Sequence, residues 1–185
     1  MENVRVKELM VPVNSYCTIA ADATLHEAVL ELENARMESD AGGGRPYRAI
    51  LVLDANGNVI GKLSQLDVIR SLEPKYSEVD DLRKVSGFGI TPEYLRSMLE
   101  TFDLWQTPMA DLCRKAADVN VRDLLTSPLE GEMIDAEATL NQAVHQFVVG
   151  HHQSLLVTSQ GRIVGILRLV DLFHEITEQI KACKI

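Results

Sequence analysis

The sequence predicts an α+β fold in which two β-α-β-β-α repeats pack sheet to sheet with pseudo-two-fold symmetry, with a helical insert between them. Two blocks of the chain recur in the same order, and each copy changes between strand and helix periodicity in the same sequence. The stretch between the copies has the apolar spacing of amphipathic helices. We therefore predict a first repeat at 1–72, a helical insert at 73–118 and a second repeat at 119–185.

The first block repeats without gaps at a spacing of 115 residues. "TLHEAV" (Thr24–Val29) aligns with "TLNQAV" (Thr139–Val144), and Thr, Leu, Ala and Val are identical. Before it, "VKELM" (Val6–Met10) aligns with "VRDLL" (Val121–Leu125) at the same spacing. Two aligned segments in the same order favour duplication over chance.

The second block repeats at a spacing of 104 residues. "GNVIGKLSQLD" (Gly57–Asp67) aligns with "GRIVGILRLVD" (Gly161–Asp171), and both glycines, one leucine and the final aspartate are identical. The change of spacing requires 11 extra residues in the first copy. We place them at the end of a helix and in the loop "ESDAGGGRP" (Glu38–Pro46).

The elements of the first copy follow from local signals. The chain starts extended, and Asp22 or Thr24 then caps a helix with apolar residues at helical spacing. "RAILVLD" predicts a strand, Asn56-Gly57 predicts a hairpin turn, and "VIGKLS" predicts the return strand. "QLDVIRSLE" predicts a helix that ends before Pro74.

The second copy and the insert have corresponding signals. In the insert, Thr91 is predicted to cap one helix, which has Pro92 in its first turn, and "TPMADLCRKAA" predicts another. The second copy predicts a helix from Thr139 to Gly150, a strand at Ser154–Val157, a turn at "SQGR", a strand at Ile163–Leu167 and a closing helix from Leu169.

Composition excludes several classes of function. The chain has 185 residues and a formal net charge of −9, which disfavours a nucleic-acid surface but permits a local basic pocket for a small anion. Three distant cysteines without a CxxC pair argue against disulfides and zinc. No apolar run approaches the length of a membrane span, and "MENVRVKELM" lacks the features of a secretory leader, so we expect a soluble, cytoplasmic protein without membrane contact.

The duplicated β-α-β-β-α unit, ending in Gly-x-Leu-Ser-x-x-Asp, resembles the cystathionine-β-synthase (CBS) domain family. The resemblance covers about Val4–Leu72 and Val119–Ile180. It implies a paired module that binds an adenosine-containing ligand, such as AMP, ADP, ATP or S-adenosylmethionine, between its repeats. It also implies a sensor for an effector protein and a homodimer formed through closing helices, such as "LFHEITEQI" at Leu172–Ile180.

The resemblance also implies which residues form each cleft. An aspartate holds the two ribose hydroxyls, a Ser or Thr three residues before it faces phosphate, and the other repeat supplies backbone and a basic residue. A carboxylate suits a diol because it accepts two hydrogen bonds, and the N-terminus of a helix favours an anion. Carried over, the first site consists of Ser64, Asp67, Gly131, Glu132 and His152. The second site consists of Asp171, Arg168, Tyr16, Cys17 and Arg48.

Arg168 departs from the family pattern, because the first copy has Ser64 at its position. It could clamp phosphate, fill the pocket, or be a surface or interface arginine. Ser64 has a structural alternative as a helix N-cap, and Asp67 has one as a charge at a helix N-terminus. Cys17 lies beside the implied adenine pocket but is interpreted by default as a buried structural thiol.

Other motifs predict no catalytic or metal chemistry. His151 and His152 are adjacent, and adjacent side chains on a strand point to opposite faces, so they do not predict a metal site. The glycine-rich segment Ala41–Arg45 lacks the Lys-Ser or Lys-Thr of a phosphate-binding loop and is predicted to be a mobile loop. No nucleophile with a base is evident, so we predict no enzyme and no required cofactor. The alternative is a ligand-free structural or dimerisation module with vestigial pockets.

Overall fold

The long helix of each repeat begins at the threonine of the repeated "TL" motif. Thr24 Oγ1 accepts a hydrogen bond from Glu27 N at 3.2 Å, and Thr139 Oγ1 accepts one from Gln142 N at 3.3 Å. Each Glu27 or Gln142 side chain in turn accepts from the backbone N–H of its threonine, which completes a capping box. Of the two caps predicted for the first helix, Thr24 is therefore the one used.

The computed structural model describes residues 4–73, 93, 96–97, 101, 108–125, 128 and 130–183. The elements of the first repeat are α1 (Val6–Leu9), β1 (Val11–Pro12), β2 (Thr18–Ala20), α2 (Leu25–Ala41), β3 (Ala49–Leu53), β4 (Val59–Ser64) and α3 (Gln65–Leu72).

The described end of the insert and the second repeat follow in the predicted order. The helix predicted after Thr91 lies outside the described residues, apart from the helical positions 93, 96–97 and 101. The further elements are α4 (Met109–Asp118), α5 (Val121–Leu124), β5 (Met133–Asp135), α6 (Leu140–Gly150), β6 (Ser154–Ser159), β7 (Arg162–Arg168) and α7 (Leu169–Ala182).

Two sheets carry the strands, and the same pairing occurs in both repeats. In the first sheet the order is β2-β3-β4, with β2 parallel to β3 and β3 antiparallel to β4. In the second sheet the order is β1-β7-β6-β5, with β5 parallel to β6 and β6 antiparallel to β7. The predicted pair of β-α-β-β-α repeats is confirmed.

The short helix at the start of each repeat, α1 or α5, packs on the other repeat. Val6 of α1 donates its N–H to Ala138 O at 2.9 Å and is buried in the second repeat's core. Val121 of α5 donates to Ala23 O at 2.9 Å and is buried in the first repeat's core. Strand β1 also crosses over, because it pairs with β7 of the second sheet. The two repeats are therefore joined by reciprocal exchange as well as by contact between their sheets.

A third apolar cluster lies between the two sheets. Leu51 of β3 and Leu156 of β6 are fully buried there, together with Tyr16 and Ile166. Leu51 pairs with Thr18, and Leu156 pairs with Met133, so the two leucines occupy equivalent positions in the two repeats. The predicted sheet-to-sheet packing with pseudo-two-fold symmetry is confirmed.

We expect Gly165→Ala to lower the free energy of unfolding by about 1–3 kcal/mol, the usual cost of overpacking. A Cβ at Gly165 would lie 2.6 Å from Val11 O, a backbone atom of the exchanged strand β1 that has little freedom to move aside. Urea unfolding followed by circular dichroism measures the loss.

Gly61→Ala is the matched control, because Gly61 and Gly165 are repeat equivalents. A Cβ at Gly61 would meet Leu125 Cδ2 at 3.2 Å, which is the end of a flexible side chain. Alanine also restricts the unfolded chain, so we expect Gly61→Ala to be close to neutral. An equal loss for both variants would contradict the explanation by backbone crowding.

Candidate functional site

Two aspartates occupy equivalent places at the start of the closing helices. Asp67 lies in the first turn of α3, and Asp171 lies in the first turn of α7. The residues three positions before them are also equivalent, because Ser64 pairs with Ala49 and Arg168 pairs with Ser154. The two predicted clefts can therefore be compared position by position.

Asp67 and Ser64 form a capping box at the start of α3. Asp67 Oδ2 accepts hydrogen bonds from Ser64 N at 2.8 Å and from Ser64 Oγ at 2.6 Å, while Ser64 Oγ accepts from Asp67 N at 3.2 Å. Both structural alternatives considered for these residues are thus realised. Asp67 is partly exposed, and within the described part of the chain its Oδ1 accepts no hydrogen bond.

The second repeat brings Gly131 and His152 together. A Cβ at Gly131 would lie 3.7 Å from His152 Nε2, and one at Gly150 would lie only 2.2 Å from the same atom. The imidazole therefore packs on the backbone of both glycines, and Gly150 cannot accept a side chain without displacing it. Gly131 and His152, two of the residues predicted for the second half of the first site, therefore lie together.

Lys62 joins Glu132 to the first repeat and was not predicted as a site residue. Its Nζ donates to Ser154 O at 2.9 Å and lies 3.6 Å from Glu132 Oε1. Burial lowers the pKa of the Lys62 ammonium, and the negative charges of Glu132 and Asp67 oppose that effect. The second repeat has the buried Ile166 at this position. A lysine within the apolar strand "VIGKLS" was therefore the sequence signal that could have identified Lys62 as a site residue.

The strand register corrects the proposed role of His152 as the counterpart of Arg48. Ala49 and Ser154 hold equivalent register positions, so the counterpart of Arg48 is Gln153, and His152 corresponds to Tyr47. Arg48 and Gln153 also face each other, with Nη1 and Oε1 3.5 Å apart.

A shorter hairpin explains the one-residue error. The β3–β4 connection joins the paired residues Leu53 and Val59, whereas the β6–β7 connection joins Thr158 and Ile163 and is one residue shorter. Its two turn residues, Gln160 and Gly161, have φ of 50° and 75°, as in a two-residue type I′ turn. The spacing of 104 therefore holds only after the turn.

Asp171 is enclosed by two arginines in the second cleft. Its Oδ1 accepts from Arg45 Nη1 at 2.7 Å and from Arg168 Nη2 at 2.8 Å, and its Oδ2 accepts from Arg168 Nε at 2.5 Å. Asp171 is only 2% exposed. Both carboxylate oxygens are therefore bound by arginines of the protein itself.

Arg168 is held from several directions. Its Nη1 donates to Arg45 O at 3.1 Å, and its guanidinium carbon lies 5.5 Å from the centre of the Tyr47 ring. Burial opposes the charge, but the contacts with Asp171 outweigh it and raise the pKa of Arg168 above its ordinary value. Arg168, for which a phosphate clamp, a pocket-filling side chain and a surface arginine were the alternatives, is an intramolecular partner of Asp171 in this structure.

Tyr16 and Cys17 are neighbours in the segment before β2, and both pack in the apolar cluster between the sheets. The Tyr16 ring packs on Tyr47 with centroids 4.7 Å apart, and burial raises the pKa of the Tyr16 hydroxyl. The Cys17 thiol donates to Ala49 O at 3.4 Å, and burial raises its pKa to about 12. A thiol with that pKa is protonated at neutral pH and a poor nucleophile, as expected of a structural cysteine.

A cavity of about 300 Å³ adjoins the second cleft but does not reach Asp171. Tyr16, Arg48 and Arg168 are brought together in its wall, whereas Cys17 and Asp171 are not part of it. The remaining lining is Pro46, Ala49, Gln153, Ser154, Leu169, Val170 and Phe173.

Neither a metal-binding cluster nor a membrane-spanning helix occurs in the described part of the chain. No group of three His, Cys, Asp or Glu side chains is arranged there to hold a metal ion. None of the helices there has both the length and the apolar character needed to cross a bilayer.

Comparison with known proteins places these observations in a family. A family model described as the CBS domain matches residues 6–74 and 121–178. No curated protein matches the chain.

Solved structures with the same fold are also similar to the chain over nearly its whole length. A hypothetical conserved protein from Geobacillus kaustophilus has 15% sequence identity and a TM-score of 0.60, covering 95% of this chain and 98% of its own. CBSX2 in complex with AMP has 17% identity and a TM-score of 0.57, covering 97% and 99%. A putative acetoin utilization protein from Vibrio cholerae has 15% identity and a TM-score of 0.58, covering 96% and 93%.

Proposed function

The chain belongs to the CBS domain family, and from this premise we propose that it is a non-catalytic regulatory module that binds an adenosine-containing ligand in its first cleft. CBS domains generally are regulatory ligand-binding modules. The candidate ligands are AMP, ADP, ATP and S-adenosylmethionine, and one structure with the same fold, CBSX2, is a complex with AMP.

The observation that carries this proposal is the difference between the two equivalent aspartates. Asp67 is partly exposed, and Oδ1 has no hydrogen-bond donor among the described residues, whereas Asp171 is buried and bound by Arg45 and Arg168. A ribose diol needs an acceptor oxygen that is bound only by water, because the ligand hydroxyls can then displace that water. Only Asp67 offers that acceptor in this arrangement.

The surroundings of Asp67 suit the rest of a nucleotide. The α3 N-terminus, capped by Ser64, presents the positive end of an eight-residue helix, although Gln65 N already donates to Arg48 O and Asp67 N to Ser64 Oγ. Lys62 adds a cation near Asp67 and Glu132. His152, packed on Gly131, provides an aromatic face from the other repeat. Each half of the site comes from a different repeat, so a ligand there would favour one relative position of the repeats.

Such a bias is the means by which the module would regulate an effector protein. The closing helices expose large apolar side chains: Leu66 and Ile69 on α3, and Phe173 and Ile180 on α7 are between 46% and 66% exposed. We propose that these faces pair in a homodimer, as expected for the "LFHEITEQI" segment. Ligand-dependent movement of the repeats would then alter the surface that the dimer presents.

We expect a thermal-shift screen to find stabilisation by at least one of the four adenosine ligands. A ligand at 100 times its dissociation constant adds about 2.7 kcal/mol, which corresponds to roughly 5–10 °C for a chain of this size. Asp67→Ala should abolish the shift because it removes the ribose acceptor.

Glu27→Ala is the matched control for Asp67→Ala. Glu27 is the acidic partner of the capping box at the start of α2, outside both clefts, so its loss weakens a cap without altering the site. The proposal requires Glu27→Ala to keep the ligand shift that Asp67→Ala loses. Equal shifts in both variants would place the ligand elsewhere.

The second candidate function is a ligand-free structural or dimerisation module. The hydrogen bonds from Arg45 and Arg168 to Asp171 favour this function, because they leave neither oxygen of that carboxylate without a donor. The same screen separates the two functions: absence of any shift with all four ligands supports the ligand-free module.

A further inference from the structure

The Ala41–Arg45 loop is hydrogen-bonded to the end of α2 and ends at Arg45. Gly43 has φ of +67°, which turns the chain at the end of α2. Gly44 N donates to Ser39 O at 2.7 Å, and Ser39 Oγ donates to Arg45 O at 2.8 Å. A Cβ at Gly44 would lie 2.6 Å from Ser39 Oγ, so this tight turn requires glycine. These hydrogen bonds tie the loop to the end of α2, and its mobility stays a prediction.

Arg45 carries its charge from this loop across to the second repeat. The Arg45 carbonyl accepts a hydrogen bond from Arg168 Nη1, and Arg45 Nη1 donates to Asp171 Oδ1 at 2.7 Å. Both oxygens of Asp171 are then used, with Arg168 completing the set through Nε and Nη2. Arg45 remains 35% exposed and Arg168 only 13%, so Arg45 forms the outer part of the closure.

The first cleft has no corresponding arginine. Counted back from the following strand, Arg45 corresponds to Gly150, because Ala49 and Ser154 are equivalent. Gly150 has no side chain, and its surface is covered by His152. At the second position of the pair, the first copy has Ser64 where the second has Arg168. The arginines Arg45 and Arg168 therefore distinguish the surroundings of Asp171 from those of Asp67.

We propose that Arg45 acts as an internal ligand of Asp171 and, with Arg168, limits the module to one adenosine-containing ligand per chain. The inference rests on the proposed function of the first cleft. Two guanidinium groups donate to both oxygens of Asp171, so neither oxygen is left without a donor for a ribose hydroxyl, whereas Oδ1 of Asp67 has no donor among the described residues. Arg45 and Arg168 are thus the residues that determine which of two equivalent clefts binds ligand.

The test is calorimetric titration of the full chain and of an Arg45→Ala/Arg168→Ser variant with AMP, ATP and S-adenosylmethionine in turn. Arg168→Ser restores the Ser-x-x-Asp sequence that forms a capping box at Ser64 and Asp67. We expect one equivalent of ligand for the unmodified chain and two for the variant. Adding Asp171→Asn should remove only the new site, and adding Asp67→Asn should remove only the original one.

The other outcomes also decide the inference. Two equivalents in the unmodified chain, one of them lost with Asp171→Asn, would overturn it, and so would a folded variant that binds no more ligand than the unmodified chain. No binding to the unmodified chain but one Asp171-dependent equivalent in the variant would support the blocking of Asp171 by Arg45 and Arg168, while overturning the proposed function of the first cleft and with it the count of one ligand per chain. If the double variant does not fold, Arg45→Gln, which removes only the outer arginine's charge, undergoes the same titration under the same criteria.

Discussion

Asp171→Ala is expected to lower the free energy of unfolding by about 3–5 kcal/mol, the usual cost of removing one partner from a buried ion pair. Asp171 is 2% exposed and is the acceptor for three guanidinium hydrogen bonds. Its removal leaves Arg168 buried beside Tyr47 without its counter-ion. Urea unfolding monitored by circular dichroism measures the difference.

Asp67→Ala is the matched control, because it removes the equivalent aspartate of the first repeat. That aspartate is partly exposed and supports a helix cap, so its loss should cost about 0.5–2 kcal/mol. If the two variants lose the same stability, the arginine pair does not depend on Asp171 as the structure indicates.

A compensating change tests the cause of the loss. Adding Arg168→Leu to Asp171→Ala removes the buried charge that the first substitution leaves without a partner. Replacing a whole buried ion pair by apolar residues is often close to neutral, and Arg45 is exposed enough to return to water. We therefore expect the double variant to recover most of the stability that Asp171→Ala loses.

The sequence predicted the elements and their order because the signals for them are local. Thr24 and Thr139 determine where helices begin, and the alternation from "RAILVLD" to "VIGKLS" determines a hairpin. The exchange of α1 and α5 was not predicted. Segments of four residues bury only one side chain fully, Val6 or Val121, and nothing in such a short pattern specifies which repeat receives it.

The equivalence of the two aspartates could be predicted from the repeat, but the contacts around them could not. Asp67 and Asp171 lie at equivalent helix starts, as the repeat indicates, and Gly131 contacts His152. The contact of Arg45 with Asp171 joins residues 126 positions apart, and it depends on where a glycine-rich loop ends. That contact follows from the packed repeats and has no local signal, whereas the other half of the closure, Arg168 three residues before Asp171, is visible in the sequence as the departure from Ser64.

The exchange of α1 and α5 between the repeats leads to a second prediction with a large effect on stability. Leu140→Ala is expected to lower the free energy of unfolding by about 2–5 kcal/mol, as typical for truncation of a buried leucine. Leu140 is fully buried at the start of α6, in the core that contains Val6 from the exchanged helix α1. The substitution therefore removes apolar contacts from a core to which both repeats contribute.

Because of this shared core, Leu140→Ala should still unfold in one cooperative transition. If the second repeat unfolded alone, α1 and β1 would lose their partners, and α5 would be drawn away from the first core. We expect a lower urea midpoint with an unchanged slope, which indicates that the same surface is exposed on unfolding. Val148→Ala, at a position of α6 that is 66% exposed, is the control and should stay within about 0.5 kcal/mol of the unmodified chain. Two separate transitions for Leu140→Ala would show that the repeats unfold independently in spite of the exchanged segments.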